Sequence, residues 1–520
     1  MQQNKVGEPK LFRLFGRFSI ALLLGVSVLG AQNFEDFKRS QAESFTKYKD
    51  ERDNAFNAYL TQQWEAYNAF KGTPLYEKPK PKTIEPAQPI QIKSVGPKVS
   101  IKVKPIEETP PVPVQNFIVV VPQKAPEIVA VKETPKAVVV VVPLKETKEV
   151  KEPQKAVKKD VVLNFYGTAL GFDIPSGMKN AKFYPKDQKG IANFFDTAAS
   201  SDHEDLITEI SKVTKAMNLN DWGVYLLVSD ISHKIFSNED DAKLLSWFIF
   251  NKLGYAVKVG LSQKHVVLMH YSKKIIYSTP NYSFGKDKFY MVANYAKENT
   301  GQVYSYEQNY PGANKALDLS MKTLPNFTPN MKTKTLSFEE LGSKYNVAFT
   351  YNQNLIDFMA TYPQADYETF FNAPLDGKTY KDIASSLKKY VDGKKTGDAM
   401  NFVLHFVQKS FDYERDDQQF GREKVMFAQE TLYFNKSDCE DRAVLFSYLM
   451  QELFGVSVVG VKYKDHMATA LYIPMDGDKV INNKKELVIA DPTYINASIG
   501  QSMPKYKPQR PESFIVVSKG

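Results

Sequence analysis

NKSDCEDRAVLFSYLMQELFGVSVVGVKYKDHMATALYI (residues 435–473), followed after a polar insert by VIADPTYINASIG (488–500), is the stretch around which the rest of the chain is read. It contains Cys439, the single cysteine of 520 residues. Ser437 and Asp438 are good helix-capping residues, and Ala443, Phe446, Met450 and Leu453 then recur on one helical face. The thiol therefore falls in the first turn of a helix, where unpaired N–H groups and the positive end of the dipole favour thiolate. Glu440 and Asp441 oppose this, so thiolate character depends on a basic partner.

That partner is available downstream. In HMATALYI, His466, Ala468, Ala470 and Tyr472 alternate with Met467, Thr469, Leu471 and Ile473, so His466 opens a strand. In ELVIADPTY, Asp491 ends an apolar run and Pro492 stops it. A lone cysteine is more often an inert core residue, and a lone histidine a structural hydrogen-bonding group. Their occurrence in the order Cys, His, Asp, each at the start or end of a suitable element, outweighs the bland reading. Asp438, Glu440 and Asp441 are read as caps, dipole partners or ion-pair partners of Arg442.

At these residues the chain resembles the transglutaminase-like superfamily of papain-like thiol enzymes. More closely, it is similar to bacterial transglutaminase-like proteins marked by SDCEDR, an H-x-A-T-A strand and a DPTYINA turn. The resemblance covers roughly residues 396–513, including NFVLHFVQKSFDYERDDQQFGREKVMFAQETLYF (401–434). It implies Cys439 as nucleophile, His466 as base and Asp491 as orienting carboxylate, with amide acyl transfer as the chemistry. Water as acceptor, giving a peptidase or amidase, is the default the resemblance implies; a lysine amine would make a cross-linking transglutaminase. A non-catalytic envelope adaptor is the rival from another class. An oxyanion donor is expected just ahead of the cysteine, with Gln429, Tyr433 and Asn435 as candidates.

The chain begins with a basic segment carrying Lys5, Lys10, Arg13 and Arg17, then an apolar run from Phe18 to Gly30. Residues 1–31 read as a secretory signal, because the run is shorter than the roughly 20 residues of a spanning helix. The expectation is an exported, periplasmic or envelope-associated protein with no stable membrane span after processing. Residues 32–70 carry an aromatic stripe at helical spacing, suited to docking in cis or onto an envelope protein. Residues 71–160 hold 15 of the 29 prolines and 17 lysines against 10 acidic residues, so about +7 of the net +9 lies there. The basic charge describes a tether, which removes the main argument for nucleic-acid binding.

Folded sequence starts near Val161. VVLNFYGTALGFDIP (161–175) reads as strands and a turn, Glu204 to Met217 as a helix, and WGVYLLVSDIS (222–232) as an apolar strand. The stretch 237–285 then parallels 437–500 element by element: capped acidic turn, helix, Gly turn, strand, Lys-His strand, and x-P-x-Tyr turn. Glu239 falls where Cys439 falls, His265 where His466 falls, and Thr279 where Asp491 falls, which predicts a degenerate, non-catalytic first copy.

The expected architecture is α+β, with two tandem transglutaminase-like domains after the signal, helix and linker. They are a degenerate domain at 161–295 and a catalytic domain at 396–520, joined by an extension (296–395) covering the cleft. The six histidines and the cysteine form no metal motif, and neither a P-loop nor a dinucleotide fingerprint occurs, so no metal or cofactor is expected. The expected partner is a protein or peptide substrate.

Overall fold

Every strand of the two larger sheets runs antiparallel to its neighbours, and each sheet is preceded by one buried helix. The computed structural model describes residues 47, 49–61, 68–70 (backbone), 86–87, 95–103, 159–292 and 302–518. The signal segment, most of the tether and its valine-rich runs lie outside these residues.

In the first unit the helix Glu239–Lys252 leads into the hairpin Val257–Ser262 and His265–Tyr271. Strands Asp287–Tyr290 and Asn281–Phe284 extend the sheet beyond His265–Tyr271, and Val303–Ser305 pairs with Val257–Ser262 on the other side. In the second unit the helix Cys439–Phe454 leads into the hairpin Val458–Tyr463 and His466–Leu471. Lys485–Ala490 and Lys479–Asn482 extend it, and Ser513–Val516 closes the other side. The five-strand order is the same in both. The first sheet adds Asn68–Phe70 at its edge.

Caps explain the helix starts. Asn238 Oδ1 accepts the N–H groups of Asp240 and Asp241, and Asp441 Oδ2 reaches back to the N–H of Asp438 at 3.1 Å. Gly455, at φ 66°, ends the second helix in the left-handed region.

One unit, Ala55–Gly520, shares a continuous apolar core that runs across the expected 161–295, 296–395 and 396–520 boundaries. Smaller clusters cover the outer faces, one on Val267, Met269, Tyr282 and Phe289, the other on Val461, Ala468, Ile489 and Tyr506.

Several local expectations are corrected. WGVYLLVSDIS lies in the helix Asp221–Ile235, begun by Asn220, whose side chain accepts the Gly223 N–H. A helix buried on nearly all sides loses its polar stripe, and a short apolar run then cannot be told from a strand. The helix expected to reach residue 70 is described as far as residue 61, and Asn68–Phe70 is a strand. Two of its aromatics are used in cis: Phe56 is buried against Phe195, Trp247 and Tyr310, and the Tyr59 hydroxyl accepts the Gln308 N–H at 2.9 Å. Part of the tether is also folded. Val95–Val103 runs along 392–397, exchanging backbone bonds Val99 N to Lys394 O, Gly393 N to Val99 O and Thr396 N to Pro97 O, and burying Ile101. The extended segment expected before Cys439 contains the helix Ala428–Tyr433.

Between the units, the hairpin Met331–Glu340 and Ser343–Asn352 packs Phe338 and Tyr345 against Phe402 and Tyr390. His405 Nδ1 bonds Glu340 Oε1 at 2.9 Å, a structural role. This hairpin covers helices; the extension reaches the Cys439 helix through Tyr367–Phe371 and through Tyr380 of the helix Gly377–Val391, whose hydroxyl donates to Glu452 O.

The strand ending at Asp491 is tied down by a close crossing of two glycines. An added Cβ on Gly477, whose φ is 132°, would lie 2.4 Å from Gly500 Cα, while Gly500 N–H donates to Ile489 O and Asp478 N–H to Gly500 O. Gly477→Ala should lower stability by more than about 2 kcal/mol in urea denaturation. Gly421→Ala, at φ 66° with open space around it, should cost only about 1 kcal/mol.

Candidate active site

Cys439 is the first residue of its helix and is 1 % exposed. Its Sγ donates to Glu440 Oε2 at 3.0 Å and lies against the backbone N–H of Met467, the residue after His466. The sheet positions the other two groups. His466 opens the central strand, and Asp491 follows the last residue of the neighbouring strand, Ala490, which pairs with Thr469. This brings His466 Nε2 to 2.8 Å from Asp491 Oδ2. His466 and Asp491 are 3 % and 2 % exposed.

Asp491 is itself held. Its Oδ1 accepts the N–H groups of Thr493 and Tyr494 at 3.0 and 3.2 Å, the local turn that an Asp-Pro-Thr-Tyr sequence favours. The buried Gln408 amide donates to the carbonyls of Asp491 and Ala497, both at 2.9 Å. With Nε2–H donated to the carboxylate, the bare nitrogen of the neutral imidazole is Nδ1, which is buried and has no hydrogen-bond partner. Tyr506 stacks on the imidazole, ring centroids 4.6 Å apart, and its hydroxyl donates to Asp465 Oδ1 at 3.0 Å.

The thiol's electrostatics differ from the sequence expectation. Burial, then the charges of Glu440 and Asp438, push the Cys439 thiol well above its ordinary value, and the Met467 N–H only partly offsets them. Desolvation and two carboxylates outweigh the helix dipole in this closed arrangement, so the resting sulfur is a protonated thiol. Burial, then Glu440 and Cys439, likewise raises the Tyr367 phenol. Tyr277 of the first unit adds to that rise, and its backbone N–H donates to Gln364 O at 2.6 Å, so the first unit's 272–280 loop borders the second unit's centre.

None of the three oxyanion candidates has a hydrogen bond to the sulfur. Gln429 spends its amide on Thr379 Oγ1 and Asp376 N–H, each at 3.1 Å. Tyr433 packs edge-on against Tyr351, and Asn435 is exposed with its carbonyl bonded to Asp412 N–H. The Glu239, His265 and Thr279 set is not brought together either. Glu239 bonds His233 Nε2 at 2.9 Å, His265 is 71 % exposed and faces Asp240, and Thr279 donates to Tyr277 O. Thr279 precedes the outer strand, whereas the strand paired with His265–Tyr271 is Asp287–Tyr290, so register removes it as the counterpart of Asp491.

Beside the thiol the chain gathers carboxylates that no motif spacing announced. Ligand atoms of Asp438, Cys439 and Glu440, of Asp416, Asp438 and Asp441, and of Asp416, Glu423 and Glu440 lie within 4.8 Å of one another. Such oxygen sets are of the kind that hard divalent cations take. One cation already offsets them, the fully buried Arg442 beside Asp438 and Asp441, while Lys424 Nζ bonds the buried Glu430 Oε1 at 2.7 Å. Burial, then Asp416 and Glu440, raises the Asp441 carboxyl.

No family model, curated protein or solved structure matches this chain.

Glu440 is the group whose removal tests the electrostatics. Since its charge raises the thiol, Glu440→Gln should move the pH profile of iodoacetamide alkylation of Cys439 to lower pH and increase the rate near neutrality severalfold. An unchanged or slower profile would show that burial alone controls the sulfur.

Proposed function

We propose that the protein is a thiol enzyme that takes the acyl group of an amide onto Cys439 and delivers it to water, acting as a transglutaminase-like peptidase or amidase. The observation that carries this reading is the 2.8 Å His466 Nε2 to Asp491 Oδ2 bond, which leaves a buried, unclaimed Nδ1 on the residue next to the one whose N–H touches the sulfur. A structural histidine of a packed core usually has both nitrogens satisfied.

In the first half-reaction His466 Nδ1 takes the thiol proton and sulfur bonds to the amide carbon. The tetrahedral adduct then collapses to a thioester, and the amine leaves with the proton held by His466. In the second half, His466 deprotonates water, oxygen bonds to the thioester carbon, the acid departs and the proton returns to sulfur. Asp491 keeps the imidazole in the needed tautomer and stabilises the imidazolium. The N–H of Cys439, at the helix start, supplies an oxyanion donor. The cycle starts with the S–H turning from its Glu440 acceptor to His466, and substrate entry requires Tyr506 or Tyr367 to move off the buried centre. The reading places this chemistry in an exported, envelope-associated protein, on the signal-like residues 1–31.

One observation favours the adaptor reading: the thiol is buried and donates to a carboxylate, both of which push it above its ordinary pKa. The two are separated by incubating the full chain with an envelope protein extract and a labelled primary amine, then mapping new protein N-termini and label. Wild type should generate N-termini that Cys439→Ala does not, and Asp491→Asn should slow their appearance by roughly 10³–10⁴-fold. Label entering glutamine side chains without cleavage would favour a cross-linking transglutaminase. Identical profiles for wild type and Cys439→Ala would leave the adaptor.

A further inference from the structure

The folded part of the tether is seated on the second unit at two places. Along 392–397, the carbonyls of Pro97 and Val95 accept the N–H groups of Thr396 and Gly397 at 2.8 and 2.9 Å. Ile101, 2 % exposed, is the anchor: its N–H donates to Asp392 Oδ1 at 3.0 Å, and its carbonyl accepts from Lys388 Nζ at 2.9 Å. Earlier in the chain, the N–H of the buried Ala87 donates to Ile495 O at 2.8 Å.

Both places bear on the Cys439 centre. Thr396 and Gly397 open the helix Thr396–Lys409, which has no side-chain cap, so carbonyls of the tether take the first N–H groups that a capping side chain would otherwise serve. From the far end of that helix the Gln408 amide holds the carbonyls of Asp491 and Ala497, and from its middle Asn401 Oδ1 accepts the Ile499 N–H at 2.8 Å. Ile495 lies in the turn that follows Asp491, and Ala87 belongs to the apolar cluster of Tyr494, Met503 and Tyr506. Tyr506 is the ring stacked on His466. The strap therefore grips the segment 491–506 directly, at Ile495, and through the helix that holds it.

We propose that residues 86–87 and 95–103 form a latch that keeps the Cys439 centre closed while seated and opens it when the tether is drawn off. In the seated state Cys439 and His466 are 1 % and 3 % exposed and Tyr506 covers the imidazole. Release takes Ala87 out of the Tyr506 cluster, frees Ile495 O and uncaps the Thr396 helix. All three changes act on 491–506, the one segment that carries both the carboxylate turn and the Tyr506 cover. A Pro- and Lys-rich chain is otherwise solvated and extended, and fixing it costs conformational entropy. Here one buried isoleucine and a short row of hydrogen bonds offset that cost, a contact that opens locally while the core stays folded. The latch governs access to the sulfur and does not depend on what the sulfur does, so it stands apart from the peptidase reading.

The test measures iodoacetamide alkylation of Cys439 in the full chain, a readout that involves no turnover. Ile101→Asp replaces the buried anchor with a charge next to Asp392. Gly397→Val displaces the strap from the helix side, since a Cβ there lies 2.8 Å from Val95 Cγ2. It also serves should Ile101→Asp fail to fold. Either variant should alkylate roughly tenfold faster than wild type or more, because local opening replaces rarer global unfolding as the route to the sulfur. The rate in the variants should vary little with urea below the unfolding transition, as expected when only a small surface is exposed. A rate equal to wild type in both variants would overturn the proposal. So would a faster rate that climbs with urea as steeply as global unfolding, which would make the strap a stabilising element alone.

Discussion

The buried guanidinium of Arg442 is the constraint on which the second unit's geometry depends. It donates to Ser437 Oγ at 3.0 Å and to the carbonyls of Gln408 and Phe411 at 3.0 and 2.8 Å, with the Tyr413 ring 5.8 Å away. Those carbonyls belong to the C-terminal end of Thr396–Lys409 and the residues after it, where carbonyl groups are left over by the helix. One side chain thus fixes the start of the Cys439 helix against the end of its neighbour. Gln408, held by its carbonyl, then places its amide on Asp491 and Ala497. Thiol, imidazole and carboxylate come from three elements, and their mutual placement passes through this cation and this amide. Taking an arginine fully out of water is tolerable only because carbonyls and nearby carboxylates replace its hydration.

The same charge balance governs the sulfur. Helix N-terminus and Met467 N–H favour an anion there, yet burial and the charges of Glu440 and Asp438 outweigh them. In low dielectric the nearest like charges dominate over a dipole worth about half a charge. Burial and the sequence neighbour Glu440 thus hold the thiol well above its ordinary pKa.

How much of this was legible follows from how local each signal is. The Cys439 helix start, the strand opened by His466 and the turn after Asp491 are written in capping residues, alternation and proline, so the sequence located the pair that the sheet then joins. The common strand order of the two units was foreshadowed for the same reason. Partnerships were not legible. Glu239 begins its helix as expected, but its nearest groups, His233 and Lys243, depend on how two helices pack. Asp416, Glu423, Gln408 and Tyr506 approach the centre through tertiary folding, with no spacing to betray them. Asp221–Ile235 was misread because the run 222–228 is almost wholly buried and apolar, with no polar residues inside it to reveal the helical period.

The two units also differ in how the space between helix and sheet is filled. Counting from the first helical residue, Lys243, Ser246 and Phe250 in the first unit stand where Ala443, Phe446 and Met450 stand in the second. Phe446 is fully buried and occupies core volume; the corresponding Ser246 leaves space, and a cavity of about 70 Å³ lies against it. An interior packed to crystal-like density tolerates few such voids, and an unfilled one lined by the unpaired His270 imidazole is doubly unfavourable for stability alone. Where the second unit carries the Cys439 sulfur at its helix N-terminus above a filled core, the first carries Glu239 there and leaves room between helix and sheet.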